Sequence, residues 1–328
     1  MDHWINRWLL GLNERYRTMT KQHIPFKRYR NAPIVTADDI PYDCNTVFNA
    51  AACKFGEQYV LLLRIEGLDG HSHLTLAFSE DGYKFEVQPQ PWVTPSTGGP
   101  FEPFESYGVE DPRITQIGDI FYITYTAYGP HGTRVAIGRT RDFQEFERIS
   151  LATEVNNKDA VLFPEKIGDS YVMLDRPGGM DGKPTSIWIT YSPDLIHWGR
   201  ARVVLSPRAG WGNSKLGVST PPIKTPKGWL VTFHGVRVIG SSQLYRVGAM
   251  MLDLLDPATV IGYTRHFIFG PEEIYERTGD VPNVVFPCGH VIEPDGTMKL
   301  YYGAADTCIG VAEAPLDDVI QLASQTVD

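Results

Sequence analysis

Tyr107 to Thr126 reads YGVEDPRITQIGDIFYITYT, and its second half is the unit from which the chain is built. A turn glycine and an aspartate, Gly118 and Asp119, lead into a run of aromatic and β-branched residues, the composition of a strand. Working outward, the same glycine-led strand returns before it as GEQYVLLLR (Gly56–Arg64). After it come GDSYVMLDR (Gly168–Arg176), GWLVTFH (Gly228–His234) and GTMKLYYG (Gly296–Gly303). A companion pattern follows the first three: AFSEDGYKF (Ala77–Phe85), GRTRDFQEF (Gly138–Phe146) and TYSPDLIHW (Thr190–Trp198). In each, a Ser or Thr stands two residues before an aspartate and an aromatic four residues after it. MLDLLDP (Met251–Pro257) and VAEAPLDD (Val311–Asp318) are weaker copies.

Five copies at roughly 60-residue spacing are longer than a WD40 unit and suit a β-propeller of four-stranded blades. The alternation of helix and strand expected of a Rossmann or barrel fold is missing. The fold expected is therefore all-β, a five-bladed β-propeller over residues 34–328. A lead-in, residues 1–33, precedes it, with Trp4, Ile5, Trp8, Leu9 and Leu12 at helical spacing over residues 2–20. A short helix, Asp317–Ala323, is expected to close the chain.

Composition narrows the function. Lys+Arg 30 against Asp+Glu 39 gives a net charge of −9 without any basic run, which argues against nucleic acid or an anionic membrane as partner. Cys44, Cys53, Cys288 and Cys308 form neither a CxxC pair nor a zinc-finger spacing, so reduced thiols and no metal are expected. His71 and His73 have metal-like spacing but no further ligand nearby and read as loop residues. The N-terminus lacks a basic stretch followed by an unbroken apolar one, and no window approaches a membrane span. A cytoplasmic protein acting on small molecules is the expectation, and the amphipathic arm suits self-association into a homo-oligomer.

The first half of the opening stretch carries the chemistry. Glu110 and Asp111 are pinned by Pro112 and followed by Arg113. Proline pushes the residue before it toward an extended conformation, so Asp111 is expected there, with Gly108 allowing a close approach upstream. An isolated EDPR would be an ordinary surface turn. Here the equivalent ends of the repeated strands are Arg64, Thr126, Arg176, His234 and Gly303, with Asp306 just beyond. Read as the innermost strands of a propeller, these ends converge at one mouth. Guanidinium, guanidinium and imidazole then form an anion pocket beside Asp111. Glycoside cleavage ordinarily takes two carboxylates. One carboxylate suffices if the nucleophile arrives already charged, as phosphate does.

Along nearly its whole length the chain resembles the glycoside hydrolase family 130 β-mannoside phosphorylases. The matching segments are FNAAA (Phe48–Ala52), LLLRIEG, YGVEDPRIT, LFPEKI (Leu162–Ile167), VMLDRP (Val172–Pro177), FHGV (Phe233–Val236), VPNVVFPCG (Val281–Gly289) and YYGAADT (Tyr301–Thr307). The resemblance implies a five-bladed propeller and inverting phosphorolysis of a β-mannoside to α-mannose 1-phosphate. It needs no cofactor, inorganic phosphate being the co-substrate. It implies Asp111 as the general acid, acting through the mannose 3-hydroxyl, and Arg64, Arg176, Lys215 and His234 as phosphate ligands. Asn49 and Asp306 match residues that hold mannose hydroxyls, and Arg113 one that shapes the site. Tyr128 and His131 lie on a loop suited to the acceptor sugar. GVEDPRIT, AYGPHG (Ala127–Gly132) and LFPEKI are most similar to members acting on β-1,2-linked mannobiose or oligomannan. Glu165 stands where other branches carry an arginine and is expected to subtract from the anion pocket. A β-1,4-mannoside phosphorylase, an inverting hydrolase on the same scaffold and a non-catalytic sugar-binding propeller are the alternatives.

Overall fold

The computed structural model describes residues 24–179, 184–208 and 210–325. The helix expected over residues 2–20 lies outside them. What is described is mostly β, and its pairing explains the repeat. The first unit runs β2 (Thr46–Phe55), β3 (Gln58–Glu66), β4 (Ser72–Ser79) and β5 (Glu86–Val87), each antiparallel to the one before. The second is β6 (Gly108–Ile117), β7 (Ile120–Gly129), β8 (Gly132–Thr140) and β9 (Glu147–Leu151). A single parallel bridge, Ser72 to Gly108, joins these two units. A Cβ on Gly108 would lie 2.9 Å from the Ser72 amide nitrogen, so the close approach expected at this glycine is real.

The third unit is β10 (Asn157–Leu162), β11 (Tyr171–Pro177), β12 (Ile187–Ser192) and β13 (Gly199–Leu205). The fourth is β14 (Lys215–Val218), β16 (Gly228–Ile239), β17 (Ser242–Leu252) and β18 (Val260–Tyr263), with the short β15 (Ile223–Thr225) also on β16. The last is β19 (Val285–Ile292), β20 (Thr297–Ala304) and β21 (Cys308–Pro315), completed by β1 (Lys27–Arg28) from the other end of the chain. The boundary drawn at residue 33 therefore falls inside a paired region, since Val35 also bridges Ile309. The closing helix is Leu316–Ala323, its Val319, Ile320 and Ala323 buried on the fourth and fifth units.

The glycine-led runs are apolar on consecutive residues because both faces of each sheet are covered. On β3, Leu61, Leu63 and Ile65 pack with Val291, Tyr301 and Val311 of the fifth unit, while Val60 and Leu62 pack with Val109, Ile123 and Tyr125 of the second. Further cores join the second unit to the third, the third to the fourth and the fourth to the fifth. The companion pattern is one turn built three times. The hydroxyls of Ser79, Thr140 and Ser192 accept backbone N–H bonds from the residues two and three ahead. The following aspartates, Asp81, Asp142 and Asp194, cap the amides beyond.

The strands expected to be innermost are instead second in each unit. It is the strands before them that pack against one another, β19 on β2, β2 on β6, β6 on β10 and β10 on β14. Strong strand composition marks a strand covered on both faces, and in these units it is not the strand that packs against its counterparts.

Candidate active site

The inner strands are irregular where the site forms. The registers of β2, β6 and β10 shift between Phe48 and Ala51, Glu110 and Arg113, and Lys158 and Val161. In these bulges Asn49, Asp111 and Asp159 take left-handed backbone, φ 50°, 47° and 58°. A bulge re-aims a side chain, and Asn and Asp tolerate this conformation best among residues with a Cβ. The extended conformation expected for Asp111 is thus corrected. The local preference imposed by Pro112 yields to two tertiary bonds and one local one: Asn49 Nδ2 donates to Asp111 Oδ1 at 2.8 Å, Arg64 Nη1 to the same oxygen at 2.8 Å, and Arg113 Nη1, two residues on, to the Asp111 carbonyl at 2.9 Å.

These residues meet at a cavity of about 190 Å³. Asn49, Arg64, Asp111, Arg176, Lys215, His234 and Asp306 all line it, so seven of the residues singled out from sequence come together. Gly303 lets Asn49 in: a Cβ there would stand 2.7 Å from the Asn49 amide nitrogen and closer to its side-chain oxygen. Arg113 is buried behind the cavity, bonded also to the Ser219 carbonyl at 3.3 Å, which fits a shaping residue. Tyr128 and His131 are exposed and absent from the lining; Tyr128 packs edge-on against Tyr107 and His131 against Phe104. Glu165 is also outside it, paired with Lys224 at 2.6 Å, so the expected subtraction from the anion pocket does not arise.

The electrostatics are lopsided. Burial alone would raise the Asp111 carboxyl, but Arg64, then Lys158 and Arg113, together with the Asn49 hydrogen bond, hold it down at about 2. Glu110, bonded to Arg64 Nη2 at 2.9 Å, is pushed up by burial. Burial and then the charge of Asp111 raise Asp306 to about 7. Burial, then Arg176 and Lys158, depress Lys215, and burial depresses His234.

Lys158, Asp159, Tyr245 and Phe286 escaped the sequence reading. Lys158, Tyr245 and Phe286 line the cavity. Asp159 receives Arg176 Nε at 2.6 Å and lies 3.4 Å from His234 Nε2. Comparing the inner strands with one another, VFNA (Val47–Ala50) with VEDP and NKDA, would have placed Asp159 beside Asn49 and Asp111; comparing the second strands could not. A larger cavity, about 580 Å³, opens on the other face of β14 and β16, lined by Leu216 and Phe233 where the neighbouring Lys215 and His234 line the smaller one. Among the described residues its wall holds no carboxylate, which leaves the smaller cavity as the candidate for acid chemistry.

A buried carboxylate facing several cations, set on strands of packed β-sheets, is an arrangement chemically able to combine proton transfer with anion binding. The chain belongs to glycoside hydrolase family 130, whose model, described as beta-1,4-mannooligosaccharide phosphorylase, matches residues 17–325. It is 35% identical over 308 residues to a 1,2-beta-oligomannan phosphorylase of Thermoanaerobacter sp. (strain X514), spanning 90% of this chain and 99% of that one. It is 34% identical over 300 residues to a beta-1,4-mannooligosaccharide phosphorylase of Ruminococcus albus, spanning 89% of each. The solved beta-1,2-mannobiose phosphorylase of Listeria innocua, in complex with beta-1,2-mannobiose, superposes with a TM-score of 0.82 at 28% identity, covering 91% of this chain and 99% of that one.

Proposed function

We propose that the protein catalyses inverting phosphorolysis of β-mannosides, with β-1,2-mannobiose or β-1,2-oligomannan as the favoured substrate. The observation that carries this is the single cavity holding Asp111 together with Arg64, Lys158, Arg176, Lys215 and His234. In this reading a phosphate oxygen attacks the anomeric carbon of the mannose from the face opposite the leaving group. The bond to the glycosidic oxygen breaks as that oxygen takes the proton of the mannose 3-hydroxyl. Asp111 replaces that proton. The products are α-mannose 1-phosphate and the shortened mannoside. Asn49 and Asp306 hold mannose hydroxyls, and Arg64, Arg176, Lys215 and His234 hold phosphate.

Asp111 must be protonated to serve as the acid, yet Arg64 keeps it ionised. Phosphate resolves the conflict: its negative charge among the same cations offsets their pull on Asp111 and raises its pKa. The acid is thus armed by the co-substrate. A hydrolase would need a second carboxylate placed to activate water; Glu110 is instead held by Arg64, and Asp306, the other carboxylate lining the cavity, is read as a mannose ligand. The fold that goes with this function is a five-bladed β-propeller, a reading supported by the cores linking each unit to the next and the fifth to the first.

Incubating β-1,2- and β-1,4-mannobiose with the protein, each with and without phosphate, tests the proposal. Phosphate-dependent mannose 1-phosphate from the β-1,2 disaccharide is the expected product. Its appearance only from the β-1,4 isomer would reassign the linkage, and free mannose without phosphate would replace phosphorolysis by hydrolysis.

A further inference from the structure

Asp159 enters no step above, yet it is the most enclosed acid at the site, with no solvent exposure of its side chain. An ionised carboxylate taken out of water needs several donors around it. Arg176 Nε of the third unit donates to Asp159 Oδ2 at 2.6 Å, and His234 Nε2 of the fourth lies 3.4 Å from the same oxygen; Arg113 Nη2 of the second lies 3.5 Å from Oδ1, which has no hydrogen-bond partner among the described residues. Room for this is cleared by Gly217 on β14. A Cβ there would sit 2.5 Å from His234 Nε2 and closer still to Asp159 Oδ2. The left-handed backbone in the β10 bulge supplies the aim. Together, these features bring one carboxylate onto two of the four residues read as phosphate ligands, Arg176 and His234.

We infer that Asp159 is a positioning residue for the phosphate, fixing the Arg176 guanidinium plane through Nε and the His234 ring through Nε2. The inference rests on reading Arg176 and His234 as phosphate ligands. Asp159 itself touches no substrate. Once Nε is tied to a carboxylate, the rest of the guanidinium fork has a set direction, which is what an anion site needs from arginine. A carboxylate kept only to hold the sheets together would affect both substrates alike; a positioning residue affects the anion alone.

The test is steady-state kinetics with phosphate and mannoside varied separately, for wild type, Asp159→Asn, Arg176→Ala and the double variant. Asp159→Asn is expected to raise the phosphate KM about tenfold or more while the mannoside KM stays within about twofold. In the Arg176→Ala background the same substitution should change the phosphate KM far less, because the partner it acts through is gone. Gly217→Ala gives a second route. It alters no polar group, displaces Asp159 and His234, and should reproduce the phosphate-selective rise even if Asp159→Asn fails to accumulate as folded protein. Equal rises in both KM values, an unchanged phosphate KM, or effects additive with Arg176→Ala would overturn the assignment. Wild-type turnover that ignores phosphate would instead overturn the phosphorolysis reading, whatever the variants do.

Discussion

Replacing Asp306 by Asn should make the protein more stable and less active, with the gain in stability growing from about pH 4 and complete above about pH 7. Asp306 follows Ala305 in the turn after β20, both in left-handed backbone at φ 56° and 46°. Burial, and next the charge of Asp111, raise its carboxyl from 3.8 to about 7, against the pull of Arg64 and Lys158. An acid raised in the folded state contributes stability that is fully present below its unfolded pKa of 3.8, where both states are neutral. That stability is lost as pH climbs toward 7, because the unfolded chain ionises freely and the folded one does not. The rise from 3.8 to about 7 sets an upper bound of about 4 kcal/mol. Partial access to the cavity reduces this to about 2 kcal/mol. Asparagine keeps the shape and tolerates the left-handed backbone, so only the ionisation is removed. Thermal melts followed by circular dichroism should show the variant about 3 °C above wild type at pH 8, with the two curves meeting near pH 4. A difference that does not change with pH, or a variant less stable than wild type at pH 8, would refute the reasoning. Activity should fall in parallel through a raised mannoside KM, since a hydroxyl partner loses its charge.

Asp111→Asn should lower kcat by about 10³-fold with an unchanged far-ultraviolet spectrum; near-normal turnover would remove Asp111 as the acid. Arg176→Ala or His234→Ala should raise the KM for phosphate well above any change in that for mannoside, and equal effects would mean that the anion binds elsewhere. Gly303→Ala puts a methyl group against Asn49 and should cost about 1–3 kcal/mol by overpacking, measured by urea unfolding. The same variant should weaken mannoside binding with phosphate KM unaffected, and an intact mannoside KM would separate Asn49 from the sugar.

Most of the fold was legible because its rules are local. Glycine-led strands and Ser/Thr-x-Asp turns depend on residues within a few positions of one another, so their recurrence exposed the repeat. Seven of the cavity residues were equally legible, as strand ends or as motifs carried by resemblance. Tertiary structure alone decided which strand of each unit lies innermost, since both inner and second strands are apolar and the choice rests on packing between units distant in sequence. It decided the backbone of Asp111, where bonds from Asn49 and Arg64, with the local one from Arg113, outweigh the preference set by Pro112. It also decided the place of Glu165, which a surface lysine holds away from the cavity. Asp159 stands between the two kinds: aligning the inner strands sets it beside Asn49 and Asp111, but its meaning comes from Arg176 on the paired strand of its own unit and from Arg113 and His234, brought to it by the packing of the neighbouring sheets.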